Sequence, residues 1–343
     1  MLSSPADLLS ALAARTRAYD FTVWFWGDAI AVDGLLEAAD LIGDEESADH
    51  CLRFYRTWLQ APKGWVDHLT PGRGLLWCYD RTGEQAFLER AVSLATWLTD
   101  TVPHTDSGQP LYRPDLPPYR HVVWVDTIYH EPSFFARLGQ LTGDERWFDA
   151  AVEICRTHLD VLRRDDSPIL GHSYDTGARL LRGYGWGRGN GWAVFGLVDA
   201  LELLPADHPS RAWMQSELVD LCDVLLGLQD RSGFWRTLLD DPEAYLEAST
   251  AAFFGAAFTK GLRTGLLDSR FAEPAERAWE AMLSRMRKDG SFFGVSACTY
   301  ASVHPDDDIQ MYKQLPTEVN VWGQGSALRF AAERLRAAQT GRP

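Results

Sequence analysis

The sequence predicts an all-α protein folded as an (α/α)6 toroid, which is a ring of six helical hairpins with an inner and an outer layer. Apolar residues recur at helical spacing in twelve segments, whereas runs that alternate as β-strands do are scarce. The connections between these segments also alternate between short and long. An open α-solenoid is the second possibility, but its repeats would be more regular.

The twelve predicted helices lie near residues 5–18, 28–42, 45–60, 70–82, 84–100, 126–142, 144–163, 190–204, 210–229, 246–264, 271–288 and 322–339. Three of the short turns share one pattern, in which a helix ends at Gly43, Gly83 or Gly143 and acidic residues open the next helix. Glycine favours the left-handed position after a helix, and acidic residues favour the positive end of the next helix dipole. These turns therefore predict tight helical hairpins.

The long connections precede every second helix and are rich in proline, glycine and aromatic residues. They cover residues 61–69, 101–125, 164–189, 230–245 and 289–321. If all of them lie at one end of the ring, the N-terminal ends of the inner helices converge at one mouth. The residues expected at this mouth are Trp26, Asp28, Asp67, Trp124, Asp126, Trp186, Arg188, Trp192, Glu247, Trp322 and Gln324. No change in composition marks an internal boundary, so we expect a single domain over residues 1–343.

The composition narrows the class of function. The formal net charge of −15 argues against nucleic acid or an anionic membrane surface as a partner, and no apolar run reaches the roughly 18 residues of a membrane span. The 14 tryptophans favour carbohydrate binding, because indole faces stack on sugar rings. Residues 1–20 predict an amphipathic helix without signal-peptide features, and the five scattered cysteines predict free thiols. We therefore expect a cytoplasmic protein.

The segment GWGRGNGWAVFGL, residues 185–197, concentrates glycine, tryptophan and arginine before an apolar run. It lacks the G-x-G-x-x-G and Gly-Lys-Ser/Thr patterns of nucleotide-binding loops, and no predicted strand precedes it. Two interpretations remain. Either the glycines only allow a tight loop with Trp192 as a core anchor, or they let a sugar ring lie against the backbone while Arg188 clamps a carboxylate.

Carboxylates at predicted helix starts have a similar double interpretation. Asp126 in WVDTIYHEP and Asp67 in VDHLTPGR fit helix caps, a more common role for aspartate than catalysis. Glu247 and Ser249 in LEAST fit a capping pair, and the acidic PDDD at 305–308 fits a solvated loop. The sequence contains no G-x-S-x-G elbow and no cysteine in an activating context. It therefore favours acid–base catalysis by carboxylates.

Four motifs in order along the chain resemble the unsaturated glucuronyl and galacturonyl hydrolases. The closest resemblance is to the unsaturated rhamnogalacturonyl hydrolases of glycoside hydrolase family 105, which is related to family 88. The four motifs are VDHLTPGR, HVVWVDTIYHEPSFFARLGQLTGD, GHSYDTG and GWGRGNGW. The segments RSGFWRTLLDDPEAYLEAST and WGQGSALRFAAE extend the resemblance over nearly the whole chain.

The resemblance implies a glycosidase acting on oligosaccharides that end in a 4,5-unsaturated uronic acid, which are products of polysaccharide lyases. It implies hydration of a vinyl ether, in which Asp126 donates a proton to C4 and activates the water that adds to C5. Such a carboxyl needs a pKa near the operating pH, and Asp67 would be its partner. The residues expected to bind the substrate are His172, Arg188, Trp124, Trp186 and Trp192, and, from their place at the mouth, Trp26 and His121.

Two features depart from the resemblance, because His130 stands where a methionine is expected and loop 101–125 has no close match. One alternative function is another (α/α)6 carbohydrate enzyme, either an ordinary glycosidase or a sugar epimerase with paired catalytic histidines. The other is an inert sugar-binding toroid, against which the joint presence of Asp67, Asp126 and Arg188 argues. The resemblance implies no metal and no organic cofactor, and we expect a monomer or a homodimer.

Overall fold

The computed structural model describes residues 4–21, 24, 26–60, 71–111, 116–299 and 305–341 of the chain. Asp67 lies outside these residues. The described residues form thirteen α-helices: α1 (Pro5–Thr16), α2 (Trp26–Ile42), α3 (Glu45–Trp58), α4 (Gly72–Thr82), α5 (Gln85–Asp100), α6 (Thr127–Thr142), α7 (Arg146–Leu162), α8 (Gly187–Leu203), α9 (Arg211–Leu228), α10 (Ala248–Thr264), α11 (Ala272–Ser284), α12 (Pro305–Gln314) and α13 (Val321–Thr340). All twelve predicted helices are present, and α12 is an additional one.

Six of these helices form a closed inner ring. Helices α2, α4, α6, α8, α10 and α13 each pack against the next, and α13 packs against α2 to close the ring. Helices α3, α5, α7, α9 and α11 form an outer layer, and α1 packs against both α2 and α13. The fold is the predicted (α/α)6 toroid, and closure of the ring excludes the open solenoid.

Burial separates the two layers. Every residue of α8 from Gly187 to Leu201 is buried, and the outer helix α7 buries a stripe that includes Trp147, Ala151 and Cys155. A helix buried on all sides belongs to the interior of a protein, whereas an amphipathic helix lies at its surface. The distribution of apolar and polar residues around each helix therefore determines whether it lies in the inner or the outer layer.

In the part of the chain that the structure describes, nine short strands lie in or directly beside the long connections, and the sequence did not predict them. These are β1 (Val122–Trp124), β2 (Arg163–Arg164), β3 (Ser167–Leu170), β4 (Ser173–Asp175), β5 (Leu180–Arg182), β6 (Trp235–Arg236), β7 (Leu246–Glu247), β8 (Val295–Ser296) and β9 (Thr317–Glu318). They pair as small antiparallel sheets in the orders β1-β4-β5, β2-β3, β6-β7 and β8-β9. Most of these strands are too short for alternation to be recognised, since that pattern needs about four to eight residues.

The prediction of a solvated loop at 305–308 is wrong, because these residues begin α12. Pro305 takes the first helical position, where its missing N–H has no partner to lose. The helix then runs for ten residues. The local residue types thus fit a helix start better than a loop.

Buried charges connect the inner helices deeper in the ring. The carboxylate of Asp199 on α8 accepts hydrogen bonds from Arg73 on α4 and Arg329 on α13, both at 2.8 Å, and from Lys260 on α10 at 2.5 Å. Burial alone would raise the pKa of Asp199, but the three cations lower it well below its usual value. One ionised carboxylate therefore joins four of the six inner helices.

The cysteines are free thiols, as the sequence predicts. Cys51, Cys78, Cys155 and Cys222 are buried and Cys298 is exposed. Within the described ranges, no helix combines the length and the apolar character that a bilayer crossing requires.

Candidate active site

Asp126 stands at the N-cap position of α6 but does not cap the helix. Its backbone is already helical (φ −55°, ψ −31°) and its side chain makes no capping hydrogen bond. The residue is 3% exposed. The sequence left open whether this aspartate is a cap, and the geometry excludes that role.

Strand pairing brings His172 to Asp126. Strand β1 pairs with β4, and the N–H of Val125 donates to the carbonyl of His172 at 3.0 Å. The His172 Nε2 atom lies 3.8 Å from the Asp126 Oδ2 atom, and both side chains are buried. The imidazole also lies against the Trp186 ring, with centroids 4.1 Å apart, and against Trp124 at 5.2 Å.

Tyr312 is a site residue that sequence reasoning missed. It lies on α12, is fully buried, and hydrogen-bonds through its hydroxyl to the Nδ1 atom of His172. Gly183 makes this contact possible, because a Cβ atom at Gly183 would lie 2.4 Å from the Tyr312 hydroxyl. Gly183 also has a φ of +56°, in the left-handed region that favours glycine. Tyr312 could have been found from the sequence only if the helix α12 had been predicted.

Arg188 lies in the first turn of α8 and is 1% exposed. Its Nη1 atom donates to the carbonyl of Ser296 at 3.2 Å and to the Ser296 hydroxyl at 2.6 Å, and its Nη2 atom donates to the carbonyl of Ala297 at 3.1 Å. The Arg188 Cζ atom lies 4.9 Å from the centre of the Trp186 ring and 5.8 Å from the centre of the Trp322 ring. Its Nε atom has no hydrogen-bond partner among the described residues.

The buried carboxylate of Glu247 lies close to Arg188 and affects its pKa. Burial lowers the pKa of Arg188, and the nearby Glu247 carboxylate opposes this change. The Arg188 Nη1 atom and the Glu247 Oε1 atom are 3.7 Å apart. Glu247 also accepts hydrogen bonds from the Ser249 hydroxyl and the Thr250 N–H, which confirms the predicted capping role at α10.

The glycines of the segment 185–197 serve close packing. A Cβ atom at Gly189 would lie 2.5 Å from the Trp186 ring, and one at Gly191 would lie 2.6 Å from the Cβ atom of Phe253. The interpretation that these glycines bare the backbone for a sugar ring is wrong at both positions, because other side chains fill the space. Both glycines also lie within α8, which begins three residues before its predicted start.

The predicted tryptophans form a connected group. Trp26 lies 5.0 Å from Trp322 and 6.5 Å from Trp192, measured between ring centroids. Trp192 is fully buried, and its ring also contacts His130 at 5.4 Å. The indole N–H groups of Trp186 and Trp192 have no hydrogen-bond partners among the described residues.

Two predicted residues stand apart from this group. His121 is exposed immediately before β1, and its carbonyl accepts a hydrogen bond from the N–H of Thr176 at 2.9 Å. Asp67 lies outside the described residues, so its pairing with Asp126 stays a prediction. The remaining predicted residues meet where α2, α6, α8 and α13 begin.

The arrangement combines a buried acid, an imidazole, a guanidinium and several indoles at one end of the ring. An acid and an imidazole in such surroundings can move protons, and a buried guanidinium can bind a planar anion. Within the described part of the chain, no three His, Cys, Asp or Glu side chains are grouped so as to hold a metal ion.

The chain is similar in sequence to enzymes that are named as hydrolases of unsaturated saccharides. The unsaturated rhamnogalacturonyl hydrolase of Bacillus subtilis is 30% identical over 340 residues, covering 96% of this chain and 94% of that protein. An unsaturated 3S-rhamnoglycuronyl hydrolase of Formosa agariphila is 38% identical over 187 residues, which cover 54% of this chain and 43% of that protein.

The fold matches that of a solved structure, and the sequence matches a family model. A crystal structure from Klebsiella pneumoniae, of a possible member of glycoside hydrolase family 105, superposes with a TM-score of 0.86 at 24% identity, covering 96% of this chain and 93% of that one. The model of glycosyl hydrolase family 88 matches residues 12–338. The chain therefore belongs to glycosyl hydrolase family 88 and is a glycoside hydrolase.

Proposed function

We propose that the protein releases a terminal 4,5-unsaturated uronic acid from oligosaccharides by adding water across the C4=C5 double bond. The observation that carries the proposal is the buried, non-capping carboxylate of Asp126 beside His172, at the same end of the ring as the buried Arg188. The names of the relatives support the same substrate class.

The reaction follows from the chemistry of a vinyl ether. Asp126 donates its proton to C4, which leaves positive charge on C5 and on the ring oxygen. The resulting carboxylate accepts a proton from the water that attacks C5, so Asp126 is restored. The hemiketal at C5 opens by breaking the bond from C5 to the ring oxygen. The hemiacetal this leaves at C1 then breaks down, releasing the shortened saccharide and a keto-uronate.

Hydrogen-bond donors without partners support an anionic, oxygen-rich ligand. The Arg188 Nε atom and the indole nitrogens of Trp186 and Trp192 lack partners among the described residues. Buried donors are nearly always paired in folded proteins, so a bound uronate would complete these three. In this account Arg188 and His172 hold the carboxylate, and Tyr312 fixes the imidazole.

The rest of the pocket follows from position. Trp124, Trp186 and Trp192 shape the space for the unsaturated ring, and Trp26 packs against Trp192 with the two rings nearly perpendicular. We propose that His121, which is exposed, contacts the leaving saccharide. Asp67 is proposed as the partner carboxylate of Asp126.

Specificity must come from the leaving saccharide. Elimination removes the stereochemistry at C4 and C5, so terminal residues derived from glucuronate and from galacturonate become the same group. Loop 101–125 directly precedes Asp126 in the sequence, and we propose that it recognises the next sugar. The names of the two relatives described above both refer to a rhamnose unit, so a rhamnose-linked substrate is the first to test.

The test uses a panel of unsaturated uronyl disaccharides made by lyases from different polysaccharides. Loss of the ultraviolet absorbance of the double bond, together with release of the second sugar, is the expected result for at least one member. Saturated aryl glycosides serve as the comparison for an ordinary glycosidase. Turnover of the saturated compounds alone would contradict the proposal.

We also propose that the protein works in the cytoplasm as a monomer or a homodimer, with a small oligosaccharide as its partner. The free thiols support a reducing compartment. The strong negative charge makes nucleic acid an unsuitable partner.

A further inference from the structure

We propose that Glu247 is a positioning residue for substrate recognition, because it holds the guanidinium of Arg188 so that the Nε edge meets the substrate carboxylate. The inference rests on the proposed function, in which Arg188 binds the uronate. It assigns to Glu247 a role beyond the helix cap that its sequence position predicts.

Glu247 uses its two carboxylate oxygens for different tasks. Oε2 accepts from the Thr250 N–H at 3.1 Å and from the Ser249 hydroxyl at 2.6 Å, which caps α10. Oε1 accepts from the N–H of Ser296 at 2.7 Å, on strand β8. A cap needs only a short side chain such as Ser or Asp, so the second contact uses the extra length of glutamate.

Ser296 links this carboxylate to Arg188. Its carbonyl and hydroxyl both accept from the Arg188 Nη1 atom, and the carbonyl of the next residue, Ala297, accepts from Nη2. All three acceptors therefore belong to one short segment whose position Glu247 fixes through the Ser296 N–H. Moving Glu247 would move the acceptors that orient the guanidinium.

Charge adds a second constraint. Arg188 and Glu247 are each 1% exposed, and the Arg188 Nη1 atom lies 3.7 Å from the Glu247 Oε1 atom. A buried cation is costly without a nearby anion, so Glu247 stabilises Arg188 in its charged form before substrate binds. The Nη edge faces Glu247 and Ser296, which leaves Nε as the donor for a ligand.

The test compares a charged substrate with its uncharged methyl ester. The unsaturated uronyl disaccharide and its uronate methyl ester are assayed for kcat/KM with the wild type, Glu247→Gln and Glu247→Asp. Aspartate can still cap α10 but is too short to reach Ser296 as well. We expect the acid-to-ester preference to fall at least about tenfold in both variants, mainly through KM of the acid.

Asp44→Asn is the matched control. Asp44 also caps a helix, the outer α3, and also pairs with an arginine, Arg17, at 2.5 Å. This variant should lose stability as the Glu247 variants do, but it should keep the wild-type acid-to-ester preference. A general loss of stability therefore cannot imitate the expected result.

The outcomes separate this inference from the proposed function. An acid-to-ester preference that stays unchanged or rises in folded Glu247→Asp would overturn the positioning role. If the wild type hydrolyses the acid and the ester equally well, the inference also fails, because Arg188 then does not contribute to recognition of the substrate carboxylate. Only a wild type inactive on every unsaturated uronide would contradict the proposed function itself.

Discussion

Asp126, Asp44 and Glu247 occupy the same kind of position at a helix start and are used differently. Asp44 and Glu247 cap α3 and α10, whereas the side chain of Asp126 does not cap α6. A missing cap costs about 1 kcal/mol, and such a cost is typical of a side chain kept for function. Position in the sequence alone does not separate these two uses of an acid.

His158 makes stability depend on pH at the scale of one residue. It is fully buried on α7, where Nδ1 lies 2.8 Å from the Ile154 carbonyl and Nε2 has no partner among the described residues. Burial lowers the pKa of His158 from 6.5 to about 4, although the hydrogen bond opposes this change. Between these pH values the unfolded chain binds a proton that the folded protein does not. The free energy of unfolding therefore falls as the pH drops from about 6.5 to 4, by about 3 kcal/mol.

The variant His158→Leu tests this dependence by denaturant unfolding at several pH values. The wild type should lose about 3 kcal/mol more than His158→Leu between neutral pH and about pH 4. His104→Gln, at an exposed position, is the control and should follow the wild type. Parallel pH curves for the wild type and His158→Leu would show that this histidine contributes no pH dependence.

At the scale of elements, α12 completes the site from outside the ring. Tyr312 contacts His172, and Lys313 pairs with Asp241 at 3.0 Å and Glu243 at 3.1 Å. The helix thereby connects the segment before α10 with the segment before α8. Its place depends on the open space at Gly183.

Gly183→Ala should therefore displace α12 and lower activity. The new Cβ atom would lie 2.4 Å from the Tyr312 hydroxyl, and the position has a φ of +56°. Gly265→Ala is the matched control, because Gly265 has a φ of +75° with nothing within 4 Å of the added atom. Both variants should lose about 1 kcal/mol of stability from the backbone strain. Only Gly183→Ala should lose about tenfold in kcat/KM, and equal activities would contradict the role of α12.

The helices and the motif residues were predictable, and the contacts between loops were not. Apolar periodicity found the twelve main helices, since each is long enough to show several turns. Strand β4, with three residues, carries no such pattern, yet its pairing with β1 brings His172 to Asp126. Tyr312 was missed for the related reason that α12 begins with an acidic segment and its sequence shows no clear apolar stripe.

At the scale of the whole molecule, the ring is closed by packing and by buried charge. Asp199 receives three cationic donors from α4, α10 and α13. Removing it leaves those cations without their shared anion, and breaking a buried ion pair in this way costs about 3–5 kcal/mol. That residues 1–343 form one domain stays a prediction, which a single cooperative unfolding transition would support.

Asp199→Ala should therefore lower the free energy of unfolding by about 3–5 kcal/mol in denaturant experiments. Glu273→Ala is the comparison, because it removes an exposed partner of Arg277 on α11 and should cost below about 1 kcal/mol. Equal small losses in the two variants would mean that the buried network contributes little to closing the ring.

The central claim is that Asp126 protonates C4 of an unsaturated uronide. The most direct measurement runs the reaction in heavy water with the wild type, Asp126→Asn and the control Asp268→Asn, which alters an acid at the start of a short 3-10 helix. The account predicts a deuterium at C4 of the released keto-uronate. It also predicts that Asp126→Asn slows the reaction about 10²–10⁴-fold while the control keeps the wild-type rate. An undiminished rate in folded Asp126→Asn, or product formed without deuterium at C4, would contradict it.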